Sequence, residues 1–179
     1  MLRDYQATSL RPPALIVFGG LPGTGKTTVS RELAMRLAAI YLRIDAIEQT
    51  LRNADLSVDA LGYTIGNALA AEGLKLCGTV IVDCVNPVQA SRDDWRHTAL
   101  QNSAQIVEIE LVCSDLAVHR RRAEGRRSDI SGLELPSWDE IVNRHYEPWD
   151  QEHLVLDTAD DSLDHLVEQA EAYIRGKIS

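Results

Sequence analysis

Apolar runs of strand length recur along the chain, and each is followed by a longer stretch whose apolar positions return at helical spacing. The runs are residues 14–18, 40–44, 79–83, 106–113 and 153–156. This alternation predicts βαβ units around a parallel sheet, an α/β architecture. Leu33, Leu37 and Ile40 share a face in the helical pattern that follows the first run, and Leu61, Ile65, Leu69 and Leu76 do so before the third. Ser57, Ser114 and Ser162 stand where helix N-caps are expected, and Gly78 where a helix should close. Residues 125–136, holding Gly132, Pro136 and several charges between two helical patterns, resist regular assignment and read as a mobile loop.

Composition narrows the picture. A chain of 179 residues with 45% hydrophobic content is long enough for one sizeable core and short for two, so residues 1–179 are expected to form a single domain. Cys77, Cys84 and Cys113 form no CxxC pair, and the five histidines have no zinc-ligand spacing; free thiols in a reducing compartment are the simplest account. The arm 1–13 has no apolar run of signal-peptide length, and nothing later approaches a membrane span, which points to a cytoplasmic protein without a membrane partner. A net charge of -9 opposes the phosphate backbone and disfavours a long nucleic-acid partner.

The candidate chemistry begins directly after the first apolar run. Gly20, Leu21, Pro22, Gly23, Thr24, Gly25, Lys26 and Thr27 match G-x-x-x-x-G-K-[ST], the P-loop pattern. Its glycines let backbone amides converge on phosphate oxygens at a helix N-terminus, where the dipole favours anions. Lys26 would reach the β- and γ-phosphates, the Thr27 hydroxyl would ligate magnesium, and Thr28 completes the expected nucleotide-binding set.

In a parallel sheet, loops at the carboxyl ends of the strands border the binding crevice, so an acidic residue there lies near the phosphates. Asp83 ends the run Val80, Ile81, Val82 and has the form of a second magnesium position. Asp45 ends the second run and is the candidate base for an attacking hydroxyl, with capping of the following helix as its plainer alternative. Asn86 and Pro87 read equally as an acceptor contact or an ordinary turn.

Arg120, Arg121, Arg122, Arg126 and Arg127 crowd into eight positions of an otherwise acidic chain. Residues 120–137 are therefore the candidate lid, with arginines closing over the transferring phosphoryl group. Arg122 and Arg126, four apart and expected on one helical face, are the pair chosen for that work. Trp138, Tyr146 and Trp149 are expected to anchor a helix after the lid, and the histidines to serve packing or solvent.

With these motifs in this order, nearly the whole chain resembles the small P-loop kinases, a group that includes chloramphenicol phosphotransferase, zeta toxins, the kinase domain of polynucleotide kinase, gluconate kinase and adenylylsulfate kinase. The resemblance implies a three-layer αβα fold of the nucleoside-monophosphate-kinase type, with a five-stranded parallel sheet of order 2-3-1-4-5 and a lid between the last two strands. It also implies ATP and Mg2+, transfer of the γ-phosphate to a hydroxyl of a small-molecule acceptor, Asp45 as base, and Thr158 beside the adenine. One departure stands out: adenylylsulfate kinases carry Asp-x-x-Arg after the second strand, whereas here the fourth position is Glu48. The rival expectations are a nucleotide-dependent switch protein without an acceptor, and a nucleoside or nucleotide kinase.

Overall fold

The computed structural model describes residues 12–178; most of the expected N-terminal arm, and the side chain of Cys77, lie outside the described residues. Five parallel strands form one sheet in the order β2-β3-β1-β4-β5. They are β1 (Ala14–Gly19), β2 (Ile40–Arg43), β3 (Thr79–Asp83), β4 (Gln105–Val112) and β5 (Leu154–Asp157). β1 lies at the centre with all six residues buried, which is why it reads as a continuous apolar run rather than an alternating one.

Helices cover both faces. α1 (Lys26–Leu37) and α7 (Leu163–Lys177) enclose a core with Ile16, Phe18, Val107, Ile109 and Leu111 from the sheet. α2 (Ile44–Asn53), α3 (Leu61–Cys77) and α4 (Gln89–Gln101) cover the opposite face, where Leu15, Val17, Val80 and Val82 meet Ile44, Ala70, Leu74 and Trp95. Two shorter helices, α5 (Leu116–Gly125) and α6 (Trp138–Val142), flank the irregular stretch that was expected as a loop. Among the described residues no helix is long and apolar enough to cross a membrane.

Several local expectations are corrected. The periodicity in α3 selected the wrong face: Leu61, Leu69 and Leu76 are exposed, and Gly62, Gly66, Ala70, Gly73 and Leu74 are buried. Small residues face inward because neighbours approach too closely for side chains; a Cβ on Gly66 would lie 2.5 Å from Ile44 Cδ1, and one on Gly73 2.9 Å from Val80 Cγ2. β2 ends at Arg43 and α2 begins at once, so Asp45 sits in the first turn of a helix rather than at a strand end. Its charge is favourable there against the positive end of the helix dipole. Ser162 caps α7 and Gly78 closes α3 as expected. Asp115 rather than Ser114 caps α5, because its carboxylate accepts from two amides, of Ala117 and Val118. Ser57 bonds Asp59, four residues ahead of α3. Cys84 and Cys113 are buried free thiols.

Candidate functional site

β1 delivers the chain into the glycine-rich turn at the carboxyl edge of the sheet. Gly20 adopts φ 130°, and a Cβ there would lie 2.2 Å from the Leu111 carbonyl oxygen of β4, so no other residue fits without moving backbone. Gly23, at φ 90°, backs onto Ala123 of α5. Gly25 leads into α1, whose first turn holds no acidic residue and receives no side-chain cap, leaving the positive end of the dipole available to an anion.

Lys26 is buried, and its Nζ donates to the Leu21 carbonyl at 2.8 Å, folding the side chain back across the turn. Burial lowers its pKa from the ordinary lysine value, while Asp83 and Asp45 oppose that shift. Thr27 Oγ1 donates to Asp83 Oδ2 at 2.7 Å, and Tyr41 OH donates to the same oxygen at 2.8 Å. The expected partnership of Thr27 with Asp83 therefore exists, although the residues are 56 positions apart. A hydroxyl and a carboxylate side by side suit magnesium, which takes few protein oxygens and fills its shell with phosphate and water. Among the described residues no group of three or more His, Cys, Asp or Glu forms a metal cage.

A cavity of about 860 Å3 opens over this edge, within the range of small-molecule sites. It is lined by the glycine-rich turn, by Arg43, Asp45, Glu48 and Gln49 around the start of α2, by Asp83 to Val85 and Pro87 after β3, and by Arg122 with much of 126–136. Asp45 lies within it, its Oδ2 3.7 Å from Arg43 Nη2. Asn86 does not: it is fully buried at φ 55°, its Oδ1 accepting from Ser91. The turn reading therefore describes Asn86, while Pro87 reaches the cavity.

The two chosen arginines part company. α5 ends at Gly125, so Arg126 leaves the helix in extended conformation and does not share a helical face with Arg122. Arg122 Nη1 donates to the Thr158 carbonyl at 2.9 Å and to its hydroxyl at 3.0 Å. That hydroxyl donates in turn to the Thr24 carbonyl at 3.0 Å, so Thr158 joins the end of β5 to the glycine-rich turn. Arg126 is half-buried with no hydrogen-bond partner for its Nε. Burial lowers its pKa, with Asp45 opposing and Arg43 adding to the shift.

Three features escaped the sequence reading. Arg43, partly buried at the end of β2, lies 3.8 Å from Asp83 and 2.6 Å from Asp129. Asp129 also pairs with Arg31 of α1, and the two guanidinium groups push its carboxyl down to about 2. His119 is buried against Trp138 and bonds the Pro22 carbonyl through Nε2 at 2.9 Å, fixing α5 to the phosphate turn. Tyr146 and Trp149 hold a residue rather than a helix: they cover Arg92 of α4, with its guanidinium 4.5 Å from the Trp149 ring centre.

Comparison with known proteins places this geometry. A family model described as an AAA domain matches residues 15–148, from β1 to the segment before β5. The chain is 26% identical over 164 residues to an adenylyl-sulfate kinase of Synechococcus sp. (strain JA-3-3Ab), covering 84% of this chain and 88% of that one. Among solved structures, it is similar to a gluconokinase from Sinorhizobium meliloti 1021, with a TM-score of 0.66 and 21% identity over 93% of this chain and 95% of that one. It is also similar to the Mycobacterium tuberculosis APS kinase CysC in complex with AMPPNP and APS, with a TM-score of 0.67 and 20% identity over 92% and 99%.

Proposed function

Because the chain belongs to the AAA domain family and is an ATP-dependent P-loop kinase of small-molecule acceptors, we propose that its cavity carries the transfer with Lys26, Asp45 and Arg126 around the reacting phosphoryl group. The observation that carries the reading is the convergence of the glycine-rich turn, buried Lys26, the Thr27 and Asp83 pair and Asp45 on one cavity.

The residue roles follow from position. Amides of the turn from Gly20 to Thr28, with Leu21, Pro22 and Thr24 shaping it, hold the triphosphate, and Arg122 with Thr158 borders the nucleoside end. Thr27 and Asp83 would hold magnesium, which supplies charge neutralisation between the β- and γ-phosphates. The acceptor hydroxyl attacks the γ-phosphorus, its proton passes to Asp45, and the bond from phosphorus to the bridging oxygen breaks, releasing ADP. Lys26 and Arg126 stabilise the charge that spreads over the phosphoryl oxygens. Arg126 suits that work because it is partly desolvated and holds no carboxylate partner among the described residues. Residues 120–137 act as the lid of a single domain. The names of the relatives make adenylyl sulfate and gluconate the first acceptors to try.

The test is acceptor-dependent ADP formation by the intact protein with ATP and Mg2+. Asp45→Asn should lower turnover by about 100-fold or more, the contribution of a positioned general base, with nucleotide affinity retained. Full phosphotransfer by Asp45→Asn would remove the base assignment. Lys26→Ala that binds Mg-ATP as well as the native protein in calorimetry would remove the phosphate cradle itself.

A further inference from the structure

Resting on the kinase reading, we propose that the acceptor is an uncharged, hydroxyl-rich small molecule of sugar or cyclitol type, with one hydroxyl at Asp45 and a second received by Glu48. Lys26, Arg43 and Arg126 line the cavity, Arg43 3.7 Å from Asp45, and one turn further along α2 Glu48 and Gln49, at positions i+3 and i+4 from Asp45, line it as well. An ionised carboxylate only accepts hydrogen bonds, so two of them side by side ask for donors on the ligand.

Glu48 is the informative residue. Its side chain is 21% exposed, and its ion pair is with Arg52, at 3.2 Å, which is itself 45% exposed. Burial raises its pKa and the charge of Asp45 adds to the rise, while Arg52 and, more weakly, Arg144 oppose it. A partly desolvated carboxylate whose hydrogen-bonded cation is half exposed gains from a hydroxyl donor more than from open water.

Other acceptor classes fit less well, each for a separate reason. An anionic group would meet the charges of Asp45 and Glu48, and the arginines beside them are already engaged: Arg43 lies 3.7 Å from Asp45, Arg52 is tied to Glu48, and Arg144 acts on Glu48 as well. An ammonium group beside Asp45 would stabilise the carboxylate and weaken it as a base. A nucleobase needs stacking surfaces, yet among the described residues lining the cavity Tyr63 is the sole aromatic, and its hydroxyl accepts from the Asn86 amide. Direct inheritance of the acceptor from the adenylyl-sulfate kinase relative is therefore opposed by this wall.

The experiment measures ADP release by the intact protein with ATP and Mg2+ against four panels: neutral monosaccharides and cyclitols, aldonates with adenylyl sulfate, amino sugars, and nucleosides. Release led by a neutral polyol, at least about 10-fold above the best member of any other panel, is expected from one well-placed hydrogen bond to a charged group. Glu48→Gln should raise the acceptor KM about 10-fold with the KM for ATP unchanged, a split that a general loss of structure would not give. Release led by any other panel, release with none, or an unchanged acceptor KM in Glu48→Gln overturns the inference. Calorimetry of Mg-ATP on the same protein separates the two levels: a wrong acceptor class with intact ATP binding leaves the kinase reading standing, and absent ATP binding removes both.

Discussion

Arg92 offers the sharpest test of how the acceptor wall is held. Fully buried in α4, it donates to four backbone carbonyls: Asn86 at 3.2 Å, Pro87 at 3.3 Å, Glu147 at 2.6 Å and Pro148 at 2.8 Å. It thereby ties the loop after β3 to the segment before β5, and Pro87 of that loop lines the cavity. Replacing it by methionine keeps most of the volume and removes every donor. The two short bonds are worth ~1.5 kcal/mol each and the two long ones ~0.5 kcal/mol each. Packing over Trp149 and Tyr146 adds ~1 kcal/mol. Against this total, removing a charge from the interior returns ~2 kcal/mol of desolvation.

The expected net loss for Arg92→Met is therefore about 3 kcal/mol, a large part of the ~5–15 kcal/mol available to a domain. Urea unfolding followed by circular dichroism measures it. Arg92→Lys should lose nearly as much, because a compact ammonium cannot serve four carbonyls in the planar arrangement of a guanidinium. Acceptor KM should rise in Arg92→Lys with ATP affinity preserved, since none of the four carbonyls that Arg92 serves belongs to the phosphate turn. An Arg92→Met protein within 0.5 kcal/mol of native stability, a bound set by the usual spread of neutral substitutions, would refute this account of the wall.

Glycine positions on two helices should respond oppositely to alanine. At Gly66 the added methyl meets Ile44 and Trp95, both buried, so overpacking outweighs the helix-propensity gain and Gly66→Ala loses ~1–2 kcal/mol in urea unfolding. At Gly176 of α7 nothing lies within 4 Å, and Gly176→Ala should gain ~0.5 kcal/mol by the same measurement. Asp129 has its folded-state pKa lowered from 3.8 to about 2, so its contribution is fully present above pH 3.8 and is lost as pH falls through 2. Because both Asp129 and Arg31 are about half exposed, the contribution stays below ~1 kcal/mol. Asp129→Asn should therefore flatten the stability profile in that window alone, as read from urea midpoints across pH.

Legibility in the sequence followed how local each signal was. The glycine-rich turn, Thr27 and Asp83 were readable because a phosphate turn needs its glycines contiguous, and because a buried strand ending in aspartate is a short, distinct pattern. β1 and β3 were readable because burial on both faces leaves unbroken apolar runs. The buried face of α3 was not, since the rule that large apolar residues face inward fails when a helix packs closely through glycines against Ile44, Trp95 and Val80. Arg43 and Asp129 were hidden because their pairing spans 86 positions and neither residue sits in a motif. The arginine-rich stretch was legible as a cluster but not by member, because the end of α5 at Gly125 leaves Arg122 on Thr158 and turns Arg126 out of the helix beside the cavity.

That divergence bears on how the stretch over the cavity works. A carboxylate, Asp129, fastens the stretch to α1 and β2 through Arg31 and Arg43, and not the arginines of the cluster. Arg122 is spent on Thr158, and Arg120 pairs with Glu124 at 2.8 Å. Of the arginines in the cluster, Arg126 combines cavity lining, partial burial and an unpartnered Nε. A guanidinium in that state is destabilised relative to water, and a phosphoryl group would restore what burial removed. In the proposed mechanism Asp129 lets the protein keep Arg126 unpaired at the cavity: had the anchoring carboxylate paired with Arg126, contact with a phosphoryl group would first require that ion pair to break.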